Sequence, residues 1–184
     1  MADKHSSDRR TARDDAHWEA VEEASELLVE RDYARALLLL REVVTRDANN
    51  PYAYQLMGAA LWELEQTEPA RDAYRAAVLL APSFLAARIG LAHCHKKLGD
   101  LTGAEREARM ALRLRDDDGE AHYVLGTVLA ARGNRRQAKD HLERFLLSKP
   151  ELEAAMEARQ MIAMLDEGRE GEPQEFDDAE DSDA

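Results

Sequence analysis

The sequence predicts an all-α fold, and three observations support this prediction. The 184 residues are rich in Ala, Leu, Glu and Arg, and only 5% of them are aromatic, which is a helical composition. The chain is similar to itself at a spacing of 34 residues. Glycine or proline follows the periodic apolar segments, as at Gly99, Gly133, Pro82 and Pro150. We therefore expect an array of short helix pairs.

The repeated units span 17–50, 51–84, 85–118 and 119–152 with no insertions. Two columns of small residues align across them, and these are Ala24, Gly58, Ala92 and Gly126, followed by Ala36, Ala70, Ala104 and Ala138. A glycine inside a helix costs up to about 1 kcal/mol relative to alanine. Close packing offsets that cost, so we interpret the columns as the places where the two helices of a unit cross with no side chain between them.

The pattern resembles the tetratricopeptide repeat. The second unit supplies Tyr54, Met57-Gly58, Leu61, Ala70, Tyr74 and Pro82, and the fourth supplies His122, Leu125-Gly126, Leu129, Ala138, Leu142 and Pro150. The first and third units depart from the signature, with Glu23 in place of leucine and with Ala48 and Asp116 in place of proline. The resemblance covers residues 17–152 and implies a right-handed α-solenoid of four helix-turn-helix units.

Both ends differ from the array. Residues 1–16 carry four acids, four bases and almost nothing apolar, which predicts a disordered N-terminal segment. The stretch 151–165 predicts a capping helix, with 153–165 beyond the last unit and with an apolar face of Leu152, Met156, Ile162, Ala163 and Leu165. Residues 166–184 contain ten acids and one base, which predicts an acidic disordered tail.

No motif indicates catalysis, a metal site or a cofactor. His93, Cys94 and His95 are adjacent on a helix, where neighbouring residues point about 100° apart and cannot converge on one ion. "DDDG" at 116–119 lacks the further ligands of a calcium loop and fits the N-capping turn of the fourth unit. We therefore predict a protein that is not an enzyme and needs no cofactor, with an enzyme or metal protein as the remote alternative.

The resemblance also implies a concave groove, lined by the first helices, that holds a peptide or segment of a partner protein. The groove residues that it implies are Trp18, Val21, Tyr52, Gln55, Trp62, Ile89, His93, Lys96, Tyr123 and Thr127. Aromatic residues on a concave surface are typical of binding hot spots. The alternative is that Trp18 and Trp62 only cover the edge of the array or pack between first helices.

We predict a noncatalytic scaffold or adaptor, and self-association is one alternative for the partner. A second interpretation is a cytoplasmic chaperone of type III secretion translocators, which the stretch "LLSKPELEAAMEARQMIAML" resembles. Some tetratricopeptide co-chaperones clamp a terminal carboxylate with lysines and asparagines. Val21, Ser25 and Gln55 stand at those positions, and only Lys96 and Lys97 are basic there, which argues against an Asp-terminated ligand.

Charge and composition exclude other classes. A net charge of −13 disfavours nucleic-acid binding, and no apolar run approaches the roughly 20 residues of a membrane helix. The single Cys94 and an N-terminus without a secretion signal favour the cytoplasm, and 20 arginines against five lysines suggest a GC-rich bacterial gene.

The charge is also polarised along the chain. Residues 17–84 carry a net −6, residues 85–152 a net +3 and residues 166–184 a net −9. Two hypotheses follow for the tail. It docks on the basic half, with Phe176 entering the groove as an internal competitor, or it is solvated and only aids solubility.

Overall fold

The computed structural model of the protein describes residues 13–167, and within them every regular element is helical. Most of the N-terminal segment expected to be disordered (1–12) and most of the acidic tail (168–184) lie outside the described residues. After helical residues 13–19, the helices are α1 (Glu22–Val29), α2 (Tyr33–Arg46), α3 (Pro51–Glu63), α4 (Thr67–Leu80), α5 (Leu85–Lys97), α6 (Leu101–Leu114), α7 (Gly119–Ala131), α8 (Arg135–Leu147) and α9 (Leu152–Glu167). The predicted all-α solenoid of helix pairs is confirmed.

Side-chain caps fix where several helices begin. The carboxylates of Asp32 and Asp100 accept hydrogen bonds from backbone amides in the first turns of α2 and α6. Asn50 does the same for α3, whose first residue is a proline. Asp118 accepts from the amide of Ala121 at 3.0 Å, so "DDDG" is the N-capping turn of α7, as predicted.

The turn inside each unit contains one residue in the left-handed region, and these residues recur every 34 positions. They are Arg31 (φ 62°), Glu65 (φ 58°), Gly99 (φ 81°) and Gly133 (φ 79°). Glycine adopts this conformation without the steric cost that a Cβ imposes. The third and fourth units therefore have unstrained turns, whereas the first two hold a charged residue in the same strained conformation.

All eight residues of the two small columns are buried. A Cβ on Gly126 would lie 2.9 Å from Leu142 Cγ, and a Cβ on Gly58 would lie 2.7 Å from Tyr74 Cδ1. A Cβ on Gly126 would also lie 3.2 Å from the carbonyl oxygen of Ala138, so the two helices approach closely there, but a side chain of the second helix packs at the crossing as well, which we did not expect. The glycine leaves room for a large side chain from the second helix, because Leu142 and Tyr74 pack directly against it.

Repeat-equivalent positions on the two helices of a unit hold matched polar pairs in the third and fourth units. Arg88 Nη1 donates to Glu107 Oε2 at 2.7 Å, and both side chains are at most 10% exposed. In the next unit, His122 Nδ1 lies 2.9 Å from His141 Nδ1. Desolvation lowers the pKa of both histidines, that of His141 to about 4, so this pair is a contact between neutral imidazoles at neutral pH.

The first helix of the array is interrupted. Residues 13–19 are helical and α1 begins at Glu22, so residues 13–16 are not disordered as we expected. Asn50 Nδ2 donates to the carbonyl oxygen of His17 at 2.8 Å, and His17 Nε2 lies 2.9 Å from Asp47 Oδ2. These bonds hold residues 13–19 against the loop between the first and second units.

The capping helix α9 packs differently from the prediction. Its buried residues are Ala155 and Ala158, whereas Leu152 and Met156 are 73% and 60% exposed. Alanines permit a close approach to α8, where Ala158 shares an apolar cluster with Phe145. Ile162 and Leu165 of the predicted face do pack against this cluster, so only Leu152, Met156 and Ala163 of that face are turned to solvent. The helix also extends to Glu167, so it includes the first two residues of the predicted tail.

Candidate functional site

The first helices of the units form the inner layer of the array. Helices α1, α3, α5 and α7 contact one another in succession, whereas successive second helices make almost no direct contact. Elements that lie closer together form the inside of a curved stack. The concave surface is therefore built by the first helices, and α2, α4, α6 and α8 lie on the outside.

Aromatic side chains line the N-terminal part of this surface. Trp18, Tyr52 and Phe84 form an edge-to-face series with ring centroids 5.7 and 5.3 Å apart. Trp18 is 45% exposed, and the other two are half-buried. Phe84 was missed by the sequence analysis because it precedes α5, outside the columns of first-helix residues.

A cavity of about 450 Å³ opens between the first helices of the second and third units. Its lining residues are Trp62, Tyr74, Ala86, Ile89, Gly90, His93 and Glu120. Tyr74 projects from α4, on the outer layer, and its ring reaches the cavity because it passes Gly58 and Gly90. A Cβ at Gly90 would collide with the tip of this ring, and the equivalent residues in neighbouring units are the larger Leu56 and Val124. The absence of a side chain at Gly90 therefore makes room for the Tyr74 ring at this junction.

Polar side chains cover the C-terminal part of the concave surface and bond mainly to one another. His93 Nε2 lies 2.7 Å from Glu120 Oε1, and this hydrogen bond lowers the carboxyl pKa of Glu120. Lys96 Nζ donates to Thr127 Oγ1 at 3.3 Å and lies 5.2 Å from the ring centroid of Tyr123. Burial lowers the pKa of Lys96. His93 and Glu120, which also line the cavity, are paired with each other, and Lys96 is paired with Thr127, so these polar groups are less available to a ligand than the apolar lining of the cavity.

Two further side-chain contacts lie at the edges of this part of the concave surface. Lys97 Nζ lies 4.9 Å from the ring centroid of Trp62, a cation–π distance, on the rim of the cavity. Tyr123 donates its hydroxyl hydrogen bond to Glu157 Oε2 of α9 at 3.1 Å, and burial together with this proximity raises the phenol pKa. The capping helix therefore contacts α7 as well as α8.

The structure places most of the predicted groove residues on the inner layer, half-buried, but two are displaced. Val21 is fully buried in a cluster with Ala24 and Leu40, because the break before α1 turns it into the core. Thr127 is 8% exposed and hydrogen-bonds its own helix through Val124. Val21 is therefore a core residue and does not line the groove, and Thr127 contributes to the concave surface only through its hydrogen bond with Lys96.

The three side chains of the sequence "HCH" point in different directions and have separate surroundings. His93 bonds Glu120, Cys94 is fully buried, and His95 Nδ1 lies 2.8 Å from Asp100 Oδ2. Burial raises the thiol pKa of Cys94 to about 12, which makes it an unreactive core residue. Within residues 13–167, no three His, Cys, Asp or Glu side chains are grouped so as to hold a metal ion. In the same part of the chain, no helix combines the length and apolarity needed to cross a membrane.

Comparisons with known proteins agree with this architecture. The E3 ubiquitin-protein ligase CHIP of Arabidopsis thaliana is 31% identical over 107 residues, which is 58% of this chain and 35% of that protein. The chain thus spans about a third of the length of this curated relative. The family model described as tetratricopeptide repeat matches residues 51–84, the second of the units defined above.

Solved structures share the fold along most of the chain. MamA 41-end from Desulfovibrio magneticus RS-1 superposes with a TM-score of 0.72 at 17% identity and covers 84% of this chain and 85% of its own. TTC0263, a thermophilic TPR protein of Thermus thermophilus, gives 0.63 at 21% and covers 83% and 82%. The first TPR of Spaghetti (RPAP3), bound to the HSP90 peptide SRMEEVD, gives 0.58 at 21% and covers 65% and 96%. The chain therefore contains a tetratricopeptide repeat at residues 51–84 and has the helical repeat fold of tetratricopeptide repeat structures along most of its length.

Proposed function

We propose that the protein is a noncatalytic adaptor that holds a segment of a partner protein on its concave surface, with one side chain of that segment anchored in the cavity between α3 and α5. The cavity itself carries this proposal, since about 450 Å³ lined by Trp62, Tyr74 and Ile89 is an apolar, concave site with a few polar groups at its rim. The likeness to Spaghetti supports it, because that protein of the same fold is bound to a peptide.

The arrangement favours a ligand that binds mainly through apolar contacts. Trp18, Tyr52 and Phe84 extend the aromatic surface from the cavity toward the N-terminus. Lys96 already bonds Thr127, and Lys97 lies over Trp62, so neither cation is held out for a terminal carboxylate. We therefore do not assign an Asp-terminated peptide to this site.

The test is affinity capture from native lysate with mass spectrometry. Alanine at Tyr52, Trp62 and Tyr123 together should abolish recovery of partners that the wild type captures, because truncation of an aromatic hot spot costs about 1 to 2 kcal/mol or more at each site. Each single change should weaken binding by about fivefold to thirtyfold or more. Thermal unfolding followed by circular dichroism would establish that the variants are folded.

A matched control places three alanines on the outer layer, at Leu38, Leu79 and Leu147, which are 60%, 73% and 79% exposed. This variant should capture the same proteins as the wild type. Equal recovery by the groove variant and the wild type would move the binding site off the concave surface. Recovery of translocator-like secretion substrates would favour the chaperone over the adaptor.

A further inference from the structure

The basic residues of the third and fourth units are concentrated on the outer layer. Residues 101–115, which include α6, hold four arginines and two glutamates, and one of these acids is Glu107, buried against Arg88. Residues 132–149, which include α8, hold six cations and two acids. The exposed arginines Arg106, Arg109, Arg113, Arg132, Arg136 and Arg144 define what we call the outer basic surface.

Shared ion pairs make this surface continuous from α6 to α8. Glu105 accepts from Arg109 of α6 at 2.9 Å and from Arg132, in the turn before α8, at 2.8 Å. Each bridge is solvent-facing and contributes little to stability. One carboxylate shared by two arginines leaves an excess of positive charge at this junction, and the excess continues onto α8.

The end of α9 lies against this same surface. Lys139 Nζ of α8 donates to Asp166 Oδ1 and Oδ2 at 2.8 and 2.7 Å. Asp166 belongs to the last turn of α9, and the chain continues into residues 168–184, which contain eight acids and one base. The last described turn of α9 therefore lies beside α8, and the acidic residues follow it directly in the sequence.

We propose that residues 168–184 bind the outer basic surface of α6 and α8 and leave the concave surface open. Seventeen residues reach at most about 56 Å when extended, and a 13-residue helix such as α8 is about 20 Å long, so the segment can cover both helices. Tethering places it at an effective concentration on the order of millimolar, at which weak charge pairing populates a bound state. In this arrangement the acidic segment contacts the outer layer, and Phe176 does not enter the concave groove as a competitor of the partner.

The test is paramagnetic relaxation in the full chain, with a nitroxide attached at Asp178→Cys. Cys94 is fully buried with a raised thiol pKa, so the label goes to the new cysteine alone. The proposal predicts strong broadening of amide signals along α6 and α8 at low salt, with little effect on α3 and α5. Raising the salt to about 0.5 M should reduce the broadening severalfold, because screening weakens exposed charge pairs.

Charge reversal supplies a matched pair of variants. Arg136→Glu with Arg144→Glu should remove most of the broadening on α8, whereas Arg41→Glu with Arg75→Glu, also exposed but in the first two units, should leave it unchanged. Broadening centred on Trp62 and Ile89 would show instead that the segment enters the groove and would overturn the proposal. Absence of salt-dependent broadening anywhere would equally overturn it. The measurement needs no partner protein, so its outcome is independent of the proposed function.

Discussion

The crossing at Gly126 allows a quantitative test of how the units pack. A Cβ there would lie 2.9 Å from Leu142 Cγ, 3.0 Å from Leu142 Cδ2 and 3.2 Å from the carbonyl oxygen of Ala138. Overpacking of this kind costs about 1 to 3 kcal/mol. Alanine gains about 0.5 to 1 kcal/mol over glycine in helix propensity. The difference of these two effects predicts that Gly126→Ala destabilises the protein by about 1 kcal/mol, and by no more than about 2.5 kcal/mol.

The sign should reverse when the opposing side chain is shortened. Leu142→Ala alone should cost about 2 to 5 kcal/mol, because Leu142 is fully buried. In that background the two closest contacts are gone and only the 3.2 Å contact with the Ala138 carbonyl oxygen remains, so Gly126→Ala should stabilise by at most about 0.5 to 1 kcal/mol. The third unit already contains this combination as Ala92 with Ala108, and both are fully buried.

Urea unfolding of the wild type, the two single variants and the double variant measures the coupling. We expect a coupling energy of about 1 to 3 kcal/mol between the two positions, because the propensity gain is the same in both backgrounds and only the overpacking cost differs. If Gly126→Ala changes the free energy of unfolding equally in both backgrounds, within about 0.5 kcal/mol, then the glycine is not required by Leu142. The explanation of the small column would then be refuted.

Three further predictions concern single residues. Glu65→Gly should stabilise the protein by about 1 kcal/mol and Gly133→Ala should destabilise it by a similar amount, because a left-handed residue with a Cβ costs about 1 to 2 kcal/mol. Melting temperatures that shift in the same direction for both variants would contradict this. Glu107→Gln should cost about 3 kcal/mol in urea unfolding because the guanidinium of Arg88 stays buried without its carboxylate, and a loss below about 1 kcal/mol would mean that the ion pair is dispensable. The pKa of His141 is lowered to about 4, so the unfolded chain binds more protons than the folded protein and stability should fall as the pH drops from about 6.5 to about 4. His141→Leu should flatten this part of the stability profile. An unchanged slope would show that other groups cause the pH dependence.

Local features of the fold could be predicted because the 34-residue period carries them. Asp118 and Gly133 act through their own turns, so the sequence alone indicates an N-cap and a left-handed turn residue. The small columns also follow from the register. The turn residues and the small columns can both be predicted without knowing which units contact each other in space.

Features that depend on pairs across helices were not predicted. Arg88 and Glu107 stand 19 residues apart, as do His122 and His141, and both pairs occupy equivalent positions in successive units. This signal can be found in the sequence when two repeat columns, one from each helix of the unit, are compared together. In the third and fourth units, polar residues replace apolar ones in both columns at once. The break before Val21 left no such trace, since no residue there differs in type from an ordinary helix.

The candidate site was predicted in outline, and its central cavity was not. Trp62, Ile89 and His93 were placed on the first helices by the register. Tyr74 was assigned to the second helix, and only the three-dimensional arrangement shows its ring passing Gly58 and Gly90 to reach the inner surface. Gly90 differs from Leu56 and Val124 in its column, and that difference was the available sign of a cavity.

Site-specific photo-crosslinking in living cells tests the central claim most directly. A benzophenone amino acid at position 86 would sit on the lining of the cavity, where Ala86 is exposed, and one at position 79 would sit on the outer layer, where Leu79 is 73% exposed. Binding of a partner segment in the cavity predicts a discrete crosslinked partner from position 86 and none from position 79. A partner crosslinked from position 79 and absent from position 86 would contradict the account.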